Sequence, residues 1–201
     1  MNQGPYDIGV IDLADGVNRI DLGAILIAAL DGVDVQVQVD EQTGAVSSVT
    51  LASGDAAVQV QPFAAPRTAS LWEDIRGQIR ESIGQSGGLV EEASGSFGQE
   101  LRAQVNPGDG STGLQPARFV GVDGPRWFLR AIFLGSAARP GPSAERLESA
   151  VRSLVVVRGH EALPVGTPLP LRLPHMDEPT SATEKPFPSP FTRGPEITEI
   201  R

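Results

Sequence analysis

The chain has 201 residues, a formal net charge of −9 and no cysteine. Without cysteine there can be no disulfide scaffold, thiolate zinc site, iron–sulfur cluster or thiol nucleophile. The excess of acid argues against a nucleic-acid coat or a basic membrane-surface protein, because both need positive charge for phosphates. The longest apolar run, residues 22–30, is much shorter than the roughly 20 residues of a membrane-spanning helix. Residues 1–16 carry three acidic residues, Asp7, Asp12 and Asp15, where a signal peptide would carry positive charge. The sequence therefore predicts a cytoplasmic protein with no membrane contact.

Proline density divides the chain into a body and a tail. Nine prolines fall between positions 164 and 195, and proline at this spacing forbids regular helices. We therefore predict an acidic lead-in over residues 1–16, a single domain over 17–159, and a proline-rich extended or disordered tail over 160–201. The first part of that tail, 163–174, is apolar and is predicted to lie along the domain surface. The part over 186–191 is either an extended ligand for an aromatic groove or a solubilising extension.

Alternation of apolar and polar residues predicts half-buried strands in the first half of the body. The pattern covers residues 33–39, 45–51 and 56–63, and the polar loop over 40–44 joins the first two as a hairpin. The spacing of Ser70 and Glu73 then predicts a capping box at the start of a helix. The face of this helix that packs on the sheet is predicted to carry Leu71, Ile75, Ile79 and Ile83.

The second half of the body repeats the alternation. Strands are predicted at 89–93, 99–105, 115–122 and 126–134, with a two-residue turn at Asp123 and Gly124 between the last two. A second helix over 143–153 precedes a final strand at 155–157. This order predicts an α+β fold, in which two helices pack on an antiparallel sheet of about six to eight strands.

Three segments carry a resemblance to a known family. They are PFAAPR at 62–67, FGQELR at 97–102 and QPARFVGVDGPRWFLR at 115–130, with the Trp72 helix between the first two. The chain resembles an actinobacterial domain-of-unknown-function family over about residues 4–175. The element order is also similar to the PsbP-like fold, a sheet between helices that is used mainly for binding. The resemblance supplies no catalytic residue.

The sequence motifs of well-known enzyme classes are absent. There is no phosphate-binding loop, dinucleotide fingerprint, calcium loop or nucleophile elbow. The two histidines, His160 and His175, lie beyond the predicted body, so no rigid relay or metal site is expected to use them. Neighbouring carboxylates such as Glu91 and Glu92 are typical of a solvated surface. We expect no metal and no bound cofactor, and the pattern favours a protein that is not an enzyme.

Arginine is concentrated in one part of the body. Residues 17–110 contain 5 arginines and 13 acidic residues, whereas residues 111–158 contain 7 arginines and 3 acidic residues. Arginine interleaved with aromatic residues suits stacking on bases or clamping of phosphate and carboxylate groups. The candidate binding residues, all in or beside the predicted hairpin, are Arg118, Arg126, Arg130, Phe119 and Phe128. If Asp123 and Gly124 form the turn, Arg126, Phe128 and Arg130 share a face with Phe119, and Arg118 lies on the opposite face. The alternative is that these arginines pair with acids at the sheet rim and the aromatic residues belong to the core.

These observations predict a binding or adaptor module. Its partner is expected to be a protein or another anionic molecule, recognised through the arginine and aromatic hairpin, and nucleic acid is one class of such partner. The alternative is an enzyme that acts on nucleotides or phosphate esters with carboxylates and arginines. A rigid acid cluster beside Arg126 and Arg130 in a concave pocket would favour the enzyme, and a flat or apolar surface would favour the adaptor.

Overall fold

The computed structural model describes residues 4–40, 42, 44–106 and 113–174. Within those ranges the chain forms eleven strands, two α-helices and a short 3-10 helix at Ser136–Ala138. In chain order the elements are β1 (Tyr6–Asp7), β2 (Arg19–Asp21), β3 (Ile25–Ala28), β4 (Asp34–Val39), β5 (Val46–Ser53), β6 (Ala56–Ala64), α1 (Trp72–Gln85), β7 (Leu89–Gly95), β8 (Gly98–Val105), β9 (Gln115–Gly124), β10 (Trp127–Gly135), α2 (Pro142–Arg152) and β11 (Val155–Val156).

Two sheets organise these strands. The main sheet has seven strands in the order β4-β5-β6-β10-β9-β8-β7, and every neighbouring pair is antiparallel. The small sheet has the order β1-β11-β3-β2, in which β1 and β11 are parallel. The predicted α+β class and the antiparallel sheet are confirmed, and seven strands fall within the predicted six to eight. Of the small sheet only β11 was predicted, as the strand over 155–157; β1, β2 and β3 are missing from the prediction because strands of two to four residues are too short to show alternation.

The larger core lies between one face of the main sheet, α2 and the small sheet. Alternate residues of β10 supply its centre, and Leu129 and Phe133 are fully buried there. Leu147 and Val151 of α2, together with Leu154, are buried in the same cluster. The small sheet adds Ile25 and Ile27 of β3. One face of the main sheet therefore serves as the floor of a continuous apolar core.

The opposite face of the main sheet is contacted by α1 over β7, β8 and β9. Trp72 is the anchor, because its ring stacks on Phe128 at 6.0 Å and its Nε1 donates to the Gln99 carbonyl at 2.6 Å. Gly121 makes room for this ring, since a Cβ at that position would lie 2.3 Å from Trp72 Cδ2. The predicted phase of the helix is therefore wrong in part: Trp72 and Ile83 are its buried residues.

The helix cap also differs from the predicted capping box. Ser70 makes no capping contact with the helix; its hydroxyl donates to Asp123 Oδ2 at 2.6 Å. The Leu71 amide donates to Asp123 Oδ1 at 2.9 Å, so a carboxylate from β9 accepts a hydrogen bond at the start of α1. An acidic group at a helix N-terminus is favourable because the first amides lack partners within the helix. The cap is thus a tertiary contact between β9 and the start of α1, and the spacing of Ser70 and Glu73 does not reveal it.

The burial along α1 predicts unequal effects of two similar substitutions. Ile83→Ala should lower the free energy of unfolding by about 2–5 kcal/mol, because it removes a buried aliphatic side chain. Ile79→Ala should cost less, since Ile79 is only half-buried. Urea denaturation of both variants measures the difference, and equal losses would contradict this placement of the helix.

Residues 163–173 run along the domain as a strap between the two sheets. The Leu169 amide donates to the Pro62 carbonyl of β6 at 2.9 Å, and the Arg172 amide donates to the Leu22 carbonyl at 3.0 Å. The side chain of Leu169 is buried in the main core. At the other end of the chain, Trp127 Nε1 donates to Asp7 Oδ2 at 2.8 Å. The predicted boundaries at 16 and 159 stay a prediction, and the segment over 186–191 lies outside the described residues.

Neither helix in the described part of the chain has the length and hydropathy needed to cross a membrane.

Candidate binding surface

The hairpin that carries the candidate residues turns two residues later than predicted. Strand β9 continues to Gly124 and β10 begins at Trp127, so the turn residues are Pro125 and Arg126 and not Asp123 and Gly124. Pro125 followed by a residue with φ of 63° matches the pattern of a type II turn. The two registers differ by an even number of residues, so the predicted faces of the strands are unchanged. Of the candidate residues only Arg126 differs from the prediction, since it lies in the turn and not in a strand.

Arg118 lies inside the protein. Its side chain is 3% exposed on the α2 side of the main sheet, where Nη2 is 2.7 Å from Glu148 Oε1. Its Nη1 is 3.6 Å from Glu100 Oε2, and its guanidinium lies 4.2 Å from the centroid of the Phe133 ring. An external partner has no access to this group in the fold described.

The two aromatic candidates lie on the opposite side of the sheet from Arg118. Phe128 is fully buried between Phe63, at 6.1 Å between ring centroids, and the stacked Trp72. Phe119 is half-buried and is paired in register with Ile132 and Leu101. Phe128 therefore belongs to a core layer beneath α1.

Arg126 is fixed at the end of the hairpin by its neighbours. Its carbonyl accepts hydrogen bonds from Arg158 Nε and from the Ala65 amide, both at 3.0 Å. Its Nη2 donates to the Gly159 carbonyl at 3.3 Å. These contacts tie the turn to the segment that follows β11, and they do not bring Arg126 to the strand surface that carries Arg130.

Arg130 is the candidate residue that stands on an open part of the sheet. It is half-buried, its Nη2 donates to Gln61 Oε1 at 2.8 Å, and its guanidinium lies 5.4 Å from the centroid of the Phe63 ring. It makes no ion pair with any residue of the described ranges. Burial lowers the pKa of Arg130 below its ordinary value, yet an arginine keeps its charge in a protein. A partly desolvated cation thus faces outward with no counter-ion among the residues that the structure describes.

Arg130 belongs to a polar surface on strands β4, β5, β6 and β10, which we call the open face. Register places its members on one side of the main sheet, beyond the strands that α1 contacts. Hydrogen bonds link them: Gln59 Nε2 donates to Ser48 Oγ at 2.9 Å, and Ser48 Oγ donates to Gln38 Oε1 at 3.0 Å. The open face consists of Gln36, Gln38, Ser48, Gln59, Gln61 and Arg130.

The glutamines of the open face were visible in the sequence. They occupy alternate positions of two strands, Gln36 and Gln38 in β4, and Gln59 and Gln61 in β6. Glutamine at every second position of two strands of one sheet, separated by β5, is the signal that would have identified this surface.

On β4, β5, β6 and β10 the acidic side chain on this side of the main sheet is that of Asp34. Asp34 stands at the first residue of β4, and Asp123 near the end of β9 is engaged by Ser70 and Leu71. Across residues 4–40, 42, 44–106 and 113–174, no three His, Asp or Glu residues are grouped so as to hold a metal ion. The open face therefore combines one cation with neutral amide donors and acceptors.

Comparison with known proteins gives one family and no characterised relative. A family model described as a protein of unknown function, DUF3710, matches residues 4–179. No curated protein matches the chain.

Proposed function

Because the chain belongs to the DUF3710 family of unknown function, whose description names no activity, we propose on physical grounds that it is a binding module. Its open face receives a partner that presents carboxylate or phosphate groups, on a protein or on another anionic molecule. The observation that carries this proposal is the setting of Arg130, a half-buried arginine with an amide and a ring beside it and no described carboxylate within ion-pair distance.

The energetics of a partly buried charge favour such a partner. Desolvating a guanidinium is costly unless another charge compensates it, and Gln61 supplies only a neutral acceptor. A carboxylate or phosphate of the partner would form a charge-assisted hydrogen bond with Arg130, which contributes about 1.5–3 kcal/mol. Gln36 and Gln38, exposed at the far side of the open face, offer donors and acceptors to the rest of the partner.

The neighbours of Arg130 support binding over catalysis. An enzyme that uses carboxylates with Arg126 and Arg130 would need acids beside these arginines, whereas the Arg130 guanidinium contacts the neutral side chains of Gln61 and Phe63. A cytoplasmic location and a relation to PsbP-like binding folds are part of the same proposal. The acidic total charge supports specificity as well, since it repels polyanions except where a local cation attracts them.

The test uses two polyanions of different class, a fluorescein-labelled oligothymidylate and a labelled oligoglutamate peptide. We expect the full-length protein to bind one of them, measured by fluorescence anisotropy, with an affinity that falls as salt rises from about 25 to 200 mM. Arg130→Gln should weaken this binding about tenfold or more, because it removes a charge-assisted hydrogen bond. The class of probe that binds identifies the chemistry of the partner.

Arg146→Gln is the matched control. Arg146 is exposed on α2, on the other side of the main sheet, and the substitution changes the net charge equally. Equal weakening by both variants would mean that total charge decides binding, and the proposal would be wrong. Failure of both probes to bind at low salt would also contradict it. Thermal melts of the three proteins, with closely similar midpoints expected, exclude unfolding as the cause.

A further inference from the structure

A groove of about 540 Å³ lies on the side of the main sheet opposite the open face. Its floor is formed by β7, β8 and the start of β9, and its wall by the residues that follow the 3-10 helix. A volume of this size is within the range of small-molecule sites. The proposed function makes no use of this groove.

Two arginines line the groove from different elements. Arg102 stands on β8, where its Nε and Nη2 are each 3.0 Å from Glu100 Oε1. Arg139 stands on the wall, exposed, and its guanidinium makes no hydrogen bond or ion pair with the part of the chain that the structure describes. One cation is thus held in a fixed orientation by a buried carboxylate, and the other is free to close on a ligand.

An ion network on the same side of the main sheet as the groove contains more arginines than acids. Three arginines in it, Arg102, Arg118 and Arg152, share only two glutamates, Glu100 and Glu148. The side chain of Glu100 is fully buried, so its negative charge compensates only the two arginines beside it, Arg102 and Arg118. Counting Arg139 and Glu91 in the lining, four arginines stand against three acids, so the groove keeps a surplus of one positive charge in a protein whose total charge is −9.

Apolar side chains complete the lining. Leu89 on β7 is 66% exposed and lines the groove. Pro116 and Pro140 contribute further apolar surface on the floor and on the wall. A ligand with a charged group alone would leave this surface in contact with water, whereas a ligand with an apolar body would cover it.

From these observations we infer that the groove binds a small organic oxyanion, a carboxylate or a phosphate ester joined to an apolar ring or chain. Arg102 and Arg139 hold the oxyanion, and Leu89, Pro116 and Pro140 cover the apolar body. Glu91 stands directly opposite Arg102 in the register of β7 and β8 and also lines the groove. Its negative charge opposes a second charge on the ligand, so a carboxylate should bind more tightly than a phosphate monoester.

The experiment is an NMR titration of the ¹⁵N-labelled full-length protein with benzoate, phenyl phosphate and the neutral benzyl alcohol. We expect benzoate to shift the Arg102 and Arg139 Nε–H signals and the Leu89 amide at millimolar concentration. Arg139→Gln should weaken benzoate about tenfold or more. Glu91→Gln should tighten phenyl phosphate binding, a gain that a purely structural role of Glu91 would not produce. Arg146→Gln, outside the groove, should leave both affinities unchanged.

Several results would overturn the inference. Benzyl alcohol binding as tightly as benzoate would show an apolar cleft without oxyanion recognition. Inorganic phosphate binding as tightly as phenyl phosphate would show that the apolar lining has no part. No response to any probe, or an Arg139→Gln variant that binds like the parent protein, would show that the groove is not this site. Because the polyanion assay depends on Arg130 and this one on Arg139, the two proposals fail independently.

Discussion

Arg118→Ala is expected to lower the free energy of unfolding by about 3–5 kcal/mol, because the substitution leaves two buried carboxylates without their shared cation. Glu100 is fully buried and within 3.6 Å of Arg118, and Glu148 lies 2.7 Å from it. Arg102 and Arg152 remain near these acids, but both are partly exposed and approach from the edges of the network. Guanidinium chloride denaturation at neutral pH measures the loss.

Arg80→Ala is the matched control for this prediction. It also removes an arginine in an ion pair, at 2.8 Å from Glu92, but both side chains are largely in solvent. Pairs of this kind contribute about 0–1 kcal/mol. If Arg118→Ala and Arg80→Ala had the same small effect, the network would be more hydrated than its burial indicates, and the argument from its charge surplus for the groove would weaken with it.

Trp72→Ala is expected to cost a similar amount, about 3–5 kcal/mol, because it removes the largest buried side chain of α1. The substitution also removes the hydrogen bond to the Gln99 carbonyl and leaves a cavity above Gly121 and Phe128. Far-UV circular dichroism together with urea denaturation measures both the loss of helix and the loss of stability.

Trp72→Phe separates the contributions at this position. It keeps a ring for the stack on Phe128 and loses only the indole donor and part of the volume, so it should cost clearly less than Trp72→Ala. Equal costs would assign the anchoring of α1 to the hydrogen bond. A negligible cost for both would mean that α1 is held by Ile83 and the Asp123 cap.

The order of elements was predictable because local patterns determine it. Alternation identified the seven strands of the main sheet, with ends that differ by a few residues, and both α-helices lie where they were predicted. The phase of α1 was not predictable in the same way. Its four isoleucine and leucine positions suggested one face, but Gly121 creates a space that only a large ring fills, and this selects Trp72.

The sequence predicted on which side of the sheet each candidate residue lies, but not which of these side chains are exposed to solvent. Alternation correctly places Phe119, Phe128 and Arg130 on one side of the hairpin and Arg118 on the other. Whether a side chain on either face meets solvent depends on what the helices cover, and α2 brings Glu148 to Arg118 from 30 positions away in the sequence. Charge density alone therefore could not separate the buried Arg118 from the accessible Arg130.

The parallel pair of β1 and β11 has a consequence for the synthesis of this protein. Tyr6 of β1 pairs with Val155 of β11, so the partner of β1 is synthesised 149 residues after β1 itself. Until β11 is synthesised, β1 has no partner among the strands described. The hydrogen bond from Trp127 to Asp7 then links this segment to the main sheet. Closing so long a loop is entropically costly and slow. The strands of the main sheet are all synthesised by residue 135, so this sheet can assemble during translation. The small sheet can be completed only after β11, which makes its completion the last step of folding. Exposure to proteases and chaperones is greatest before that step.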